Sequence, residues 1–136
     1  MSEPKTPATD FEYRKNPAIR TMMMPHQTNA YGTIFGGVIL SYIDLAGAVP
    51  ARDYAPYQFV TVAMKEVIFH EPVYVGDIVS FYGSVTKVGR TSITVHVLVE
   101  ANRMREGGKL VRVTEADVIY VAIGDDSQPT PIIPNK

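Results

Sequence analysis

The spacing of apolar and polar positions changes once along the chain, and the change separates two kinds of element. From Gly36 to Val49 the run "GGVILSYIDLAGAV" is apolar almost all round, with small Gly and Ala between bulky residues. A helix patterned this way is buried rather than laid on a surface, and Pro50 is expected to end or kink it. Beyond the helix the period is two. In "SITVHVLVEA", Ile93, Val95, Val97 and Val99 share one face while Ser92, Thr94 and His96 share the other. "QFVTVAMKEVIF", "IVSFYGSVTKV" and "LVRVTEADVIYVAI" are further strand candidates, and "AIRTMMMP" is a short extended segment ahead of the helix. Gly89-Arg90 fits a two-residue hairpin turn with Gly first, and Gly107-Gly108 fits the other primed type. One helix and a long antiparallel sheet bury each other best when the sheet curls around the helix, an α+β architecture.

The 136 residues make one domain, long enough to bury a substantial core. Residues 1–10 read as a disordered arm, 11–123 as the folded domain, and 124–136 as a Pro-rich tail. The net charge of −1 comes from interspersed acids and bases, which gives no basic footprint for a nucleic acid. Without cysteine there is neither a disulfide, nor a thiolate metal site, nor a Cys nucleophile. The polar, proline-broken N-terminal residues lack the apolar core of a secretory signal. The longest apolar run is shorter than a membrane span. These features point to a soluble cytoplasmic protein with no membrane insertion.

Against this background Asp44 stands out. It is the one acidic residue of the apolar run, and the helix offers it no polar face. An unpaired buried carboxylate costs several kcal/mol or takes up a proton. A bland role, satisfied by a neighbouring backbone group, competes with a functional one, because such groups concentrate where a site uses them.

The segments "MPHQTNAYGTIFGGVILSYIDLAGA", "TVAMKEVIFHEPVYVGD" and "VGRTSITVHVLVEA" together resemble the hotdog-fold acyl-CoA thioesterases, in particular the YciA-like acyl-CoA hydrolases. The resemblance runs from about Arg20 to Ile123. It implies a long antiparallel sheet wrapped around one central helix, and hydrolysis of acyl-CoA to a free acid and CoA. Coenzyme A is then part of the substrate, and no further cofactor is expected. It also implies a homodimer joined sheet edge to sheet edge, assembled further into tetramers or hexamers. On the matching positions the essential carboxylate falls on Asp44, the carbonyl-side amide on Asn29, and the helix-start glycines on Gly36 and Gly37. Thioester attack develops charge on the carbonyl oxygen, which fixed N–H donors stabilise. A helix start supplies such donors. Asp44 would then act as general base or as nucleophile. Some relatives carry a hydroxyl one turn after the carboxylate. Here that position is Ala48, so the hydroxyl must come from Thr61 or Ser41 or be absent.

Eight residues separate Gly36 from Asp44, which is about 12 Å along one helix. A carbonyl held at the helix start therefore lies beyond reach of the same helix's Asp44. Either the helix start is not the oxyanion site, or the carboxylate comes from a second subunit. The dimer that the resemblance implies supplies the second, with Asn29 and the glycines from one chain and Asp44 from the other. "GRTS" is the second candidate: Gly89, Arg90, Thr91 and Ser92 form either a plain hairpin tip or a grip on CoA phosphates, for which Arg is the suited donor.

The remaining polar residues are weaker candidates. His26, His70 and His96 lack metal-ligand spacing. His70 is expected to be structural or to line the substrate site. Arg103, Arg105, Lys109 and Arg112 read as a solvated edge, and Met22 to Met24 as core filling or channel lining. Two other readings stay in play. A hydratase or dehydratase on the same fold would need a catalytic His signature that His70-Glu71-Pro72 does not match. A non-catalytic acyl-CoA binder would have no use for Asn29 together with Asp44.

Overall fold

The computed structural model describes residues 16–134. The proposed arm, residues 1–10, lies outside the described residues. Strand β1 (Ile19–Met22) is followed by a 3₁₀ turn at Pro25–Gln27 and by helix α1 (Gly36–Tyr54). Four long strands follow: β2 (Gln58–Phe69), β3 (Ile78–Val88), β4 (Ser92–Arg103) and β5 (Lys109–Ile123). All pairings are antiparallel, in the order β1-β3-β4-β5-β2. One helix against a five-stranded sheet is the architecture that the periodicity requires.

The alternation in β4 decides which face of the sheet the helix covers. Ile93, Val95, Val97, Val99 and Ala101 are all fully buried, and they pack with Val79 and Phe81 of β3 and Val118 and Tyr120 of β5. From the helix, Ile39, Ile43, Ala46, Gly47 and Ala51 meet this face. Strand β2 lies at a free edge and carries register shifts between Thr61 and Ala63 and between Lys65 and Ile68. Bulges of this kind bend a strand and increase its twist, which helps the sheet to wrap.

Four expectations change. Helix α1 runs on through Pro50 to Tyr54. A proline costs the Ala46 carbonyl its usual intrahelical partner, and here the ring lies against the bare backbone of Gly83. Secondly, the helix is buried on one side only, with Leu45 62% and Val49 44% exposed. A single sheet can shield only one side of a helix. Thirdly, Gly89 is not left-handed, and residues 89–92 bridge the paired Val88 and Ile93 as a longer loop. Fourthly, a 3₁₀ turn at Met104–Glu106 precedes Gly107 and Gly108, whose φ values of 70° and 86° close the β4–β5 link. The Pro-rich segment after Ile123 turns back onto the sheet. Thr130 donates its backbone N–H to Ala122, and Ile132 to the carbonyl of Arg90.

Candidate active site

Asp44 sits in the middle of α1 on the side that faces the β2 edge. It is half-buried, and the Thr61 hydroxyl donates to its Oδ1 at 2.5 Å. Strand β2 runs past the helix and gives the carboxylate a side-chain partner, where a neighbouring backbone group was the bland expectation. Thr61, rather than Ser41, supplies the neighbouring hydroxyl, since Ser41 bonds back to the Val38 carbonyl. Behind Asp44, the Tyr120 hydroxyl donates to the Asp44 backbone carbonyl at 2.6 Å. This approach depends on Gly47, where any Cβ would collide with the Tyr120 ring and hydroxyl. Burial, and then the nearby Asp44 charge, push the Tyr120 phenol well above its ordinary value of 10.0. The hydroxyl therefore stays protonated as a donor.

Asn29 lies in the loop ahead of the helix, where its side chain organises the turn. Oδ1 accepts from the Tyr31 and Thr33 backbone N–H groups at 2.8 and 3.2 Å, and Nδ2 donates to Thr33 Oγ1 at 2.8 Å. The amide has two N–H bonds, and this contact uses one of them. Gly36 and Gly37 form the first turn of α1, where N–H groups have no intrahelical acceptor. Phe35 caps the helix without a side-chain hydrogen bond. Its exposed ring folds over Gly37, where a Cβ would have to displace it.

A cavity of about 200 Å³ opens beneath this helix start. Ile34, Ile39, Phe69, Pro72 and Val73 give it apolar walls, with Gly36, His70, Glu71 and Thr114 completing the lining. His70, expected to be structural or to line the substrate site, stands at the rim of this cavity. It also bonds Glu115 at 2.8 Å, and Glu115 reaches His96 at 3.2 Å. His96 in turn bonds Asp117 at 2.8 Å. Burial works to raise the Glu115 carboxyl, but the His70 hydrogen bond and the charges of His96, His70 and Arg112 outweigh it and hold it below its ordinary 4.5. Among the described residues no cluster of three or more His, Asp or Glu has the geometry to hold a metal ion.

Arg105, Lys109 and Arg112 of the basic cluster are exposed as expected, and Arg103 departs from it. Arg103 is buried, donating Nη2 to the Pro72 carbonyl at 2.6 Å with Asp77 beside its Nε. It pins the β2–β3 loop that walls the cavity, and Arg105 stacks 3.6 Å over the ring of Tyr74 in that loop. A carboxylate partner and a carbonyl acceptor make burial of the guanidinium tolerable. Of Met22, Met23 and Met24, Met23 alone is in the core.

The sequence-derived residues thus fall into two groups. Asn29, Gly36 and Gly37 gather at the start of α1, beside Phe69. Asp44 and Thr61 lie further along, in the row where Thr61 and Ile93 both pair with Tyr120. The loop of Gly89, Arg90, Thr91 and Ser92 begins just past that row, with Arg90 exposed and its carbonyl held by Ile132. Tyr120 and Thr114 were missed. Both are inward-facing positions of a period-two strand, and nothing in the pattern separates them from ordinary core residues.

Comparison with known proteins adds relatives to this geometry. Residues 31–107 match the family model described as the thioesterase superfamily. An acyl-CoA thioester hydrolase, YciA, from Salmonella typhimurium is 40% identical over 116 residues, covering 84% of this chain and 87% of that one. A hexameric hotdog-fold thioesterase of Campylobacter jejuni superposes with a TM-score of 0.82 at 47% identity, covering 86% of this chain and 90% of the other. A hexameric thioesterase from Yersinia pestis gives 0.83 at 38% identity, with 88% and 97% covered.

Proposed function

Because the chain belongs to the thioesterase superfamily, among the YciA-type acyl-CoA thioester hydrolases, we propose that it hydrolyses acyl-CoA thioesters to a free acid and CoA. The carrying observation is Asp44, a carboxylate in mid-helix with one oxygen held by Thr61. The other oxygen is free to take a proton from water as it attacks the thioester carbon, or to attack that carbon itself and form a mixed anhydride that water then opens. In either route the C–S bond breaks and the thiolate leaves as CoA. Charge built on the carbonyl oxygen is met by the first-turn N–H groups of Gly36 and Gly37 and by the second amide hydrogen of Asn29. Water is the only co-reactant, so no cofactor is called for.

These donors and Asp44 lie about 12 Å apart along α1, so the working site draws its two halves from two protomers. The free β2 edge and the apolar stripe of Leu45 and Val49 support pairing of copies. A dimer, assembled further into a tetramer or hexamer, fits the hexameric relatives. Residues 11–123 make up the catalytic unit, and the Arg90 loop holds the CoA phosphates. No helix among the described residues is long and apolar enough to cross a membrane, and we place the reaction in the cytoplasm.

Release of free thiol from a panel of acyl-CoAs tests the reading directly. The wild type should release thiol, and Asp44→Asn should lower kcat by at least about a hundredfold, the scale of a lost general base or nucleophile. Hydration of an enoyl substrate without thiol release would favour the hydratase alternative. Binding without either reaction would favour the acyl-CoA binder.

A further inference from the structure

The wall of the cavity beneath the helix start includes a residue whose buried polar group the hydrolysis does not use. Thr114 of β5 is fully buried, and its Oγ1 has no hydrogen-bond partner among the described residues. It pairs across the sheet with Val99 and Phe69, and it lines the same cavity as Gly36. Buried hydroxyls are nearly always bonded, so an orphan in a cavity wall points to something that enters the cavity. Ile34, Ile39, Phe69 and Val73 surround it with apolar side chains, as in a site that takes a mostly hydrocarbon ligand oriented by a single polar contact.

We propose that this cavity receives a short acyl group carrying a hydroxyl or oxo oxygen on its third or fourth carbon, and that Thr114 is the specificity-determining residue that binds this oxygen. The proposal rests on the acyl-CoA hydrolysis argued above. A thioester carbonyl held at Gly36 directs the following carbons into the space between Gly36 and Thr114. At roughly 30 Å³ for each water-sized group, about 200 Å³ accommodates some six or seven non-hydrogen atoms. A plain alkyl chain would fill that space and leave the Thr114 hydroxyl unbonded. An oxo group would accept from it, and a hydroxyl could either accept from it or donate to it. Sites built around a buried polar group discriminate against analogues that lack its partner.

The test compares two matched pairs, 3-hydroxybutyryl-CoA with butyryl-CoA and 4-oxopentanoyl-CoA with pentanoyl-CoA. For each pair the ratio of kcat/KM, oxygenated over plain, is measured in the wild type, Thr114→Val and Thr114→Ser, and corrected for the uncatalysed rates. At least one wild-type ratio should exceed one. Thr114→Val should lower that ratio by roughly three- to tenfold, the value of one neutral hydrogen bond, while Thr114→Ser keeps it within about twofold. Wild-type ratios below one for both pairs would overturn the proposal, a result that needs no variant to fold. So would a valine variant whose ratios match the wild type's, or a serine variant that loses selectivity as valine does. Hydrolysis of all four substrates with unchanged ratios would sink this proposal alone. Absence of thiol from all four would overturn the hydrolysis as well.

Discussion

Tyr120 shows how one side chain ties helix α1 to the sheet. Its hydroxyl bond to the Asp44 carbonyl fixes the height of the helix over β5, and Tyr120→Phe should destabilise the protein by about 1 kcal/mol. The phenol's folded-state value lies above 10.0. Its stabilising contribution is therefore complete below pH 10 and is lost as pH rises beyond that, where the unfolded chain ionises first. Urea unfolding from pH 7 to 11 should show the wild type losing its advantage over Tyr120→Phe at the alkaline end. A constant difference across that range would mean the hydroxyl does not act this way. At this scale the sequence exposes only residues that break a pattern. Asp44 interrupts an apolar helix and is visible, whereas Tyr120 and Thr114 obey the strand alternation, and their roles depend on what lies across from them.

Among the elements, the loop of residues 89–92 carries the sharpest expectation. Arg90 is exposed at its tip, while Gly89 N–H bonds the Ser92 carbonyl and Ile132 N–H bonds the Arg90 carbonyl. The backbone is fixed and the guanidinium is free to meet phosphate. Arg90→Ala should raise KM for an acyl-CoA about tenfold more than KM for the matching acyl-pantetheine, which lacks the nucleotide. Equal changes on the two substrates would reduce Arg90 to a turn residue. The strands were legible because two-residue alternation follows directly from the pleat. The links were not. A five-residue turn ending in Gly107-Gly108 and a two-residue one share their glycines, and only the partners of Arg103 and Lys109 tell them apart. Pro50 misled for a related reason, since the helix tolerates it where its ring meets Gly83.

At the scale of the whole molecule the question is whether one chain suffices. Two variants expected to be inactive, Asn29→Asp and Asp44→Asn, answer it when unfolded and refolded together. Aspartate keeps the Oδ1 acceptor that orders the loop and removes the amide donor. In a shared site, a mixed dimer has one pocket with both lesions and one with neither. Random pairing makes about half the dimers mixed, so roughly a quarter of wild-type activity should return. No recovery, with mixed dimers verified by mass spectrometry, would assign both halves of the site to one chain. The eight-residue gap between Gly36 and Asp44 has a final consequence. If no chain holds a complete set of groups, competence is not conferred by folding but by encounter. Below the dissociation constant of the dimer, the rate falls with the square of protein concentration, and simple dilution becomes an off-switch.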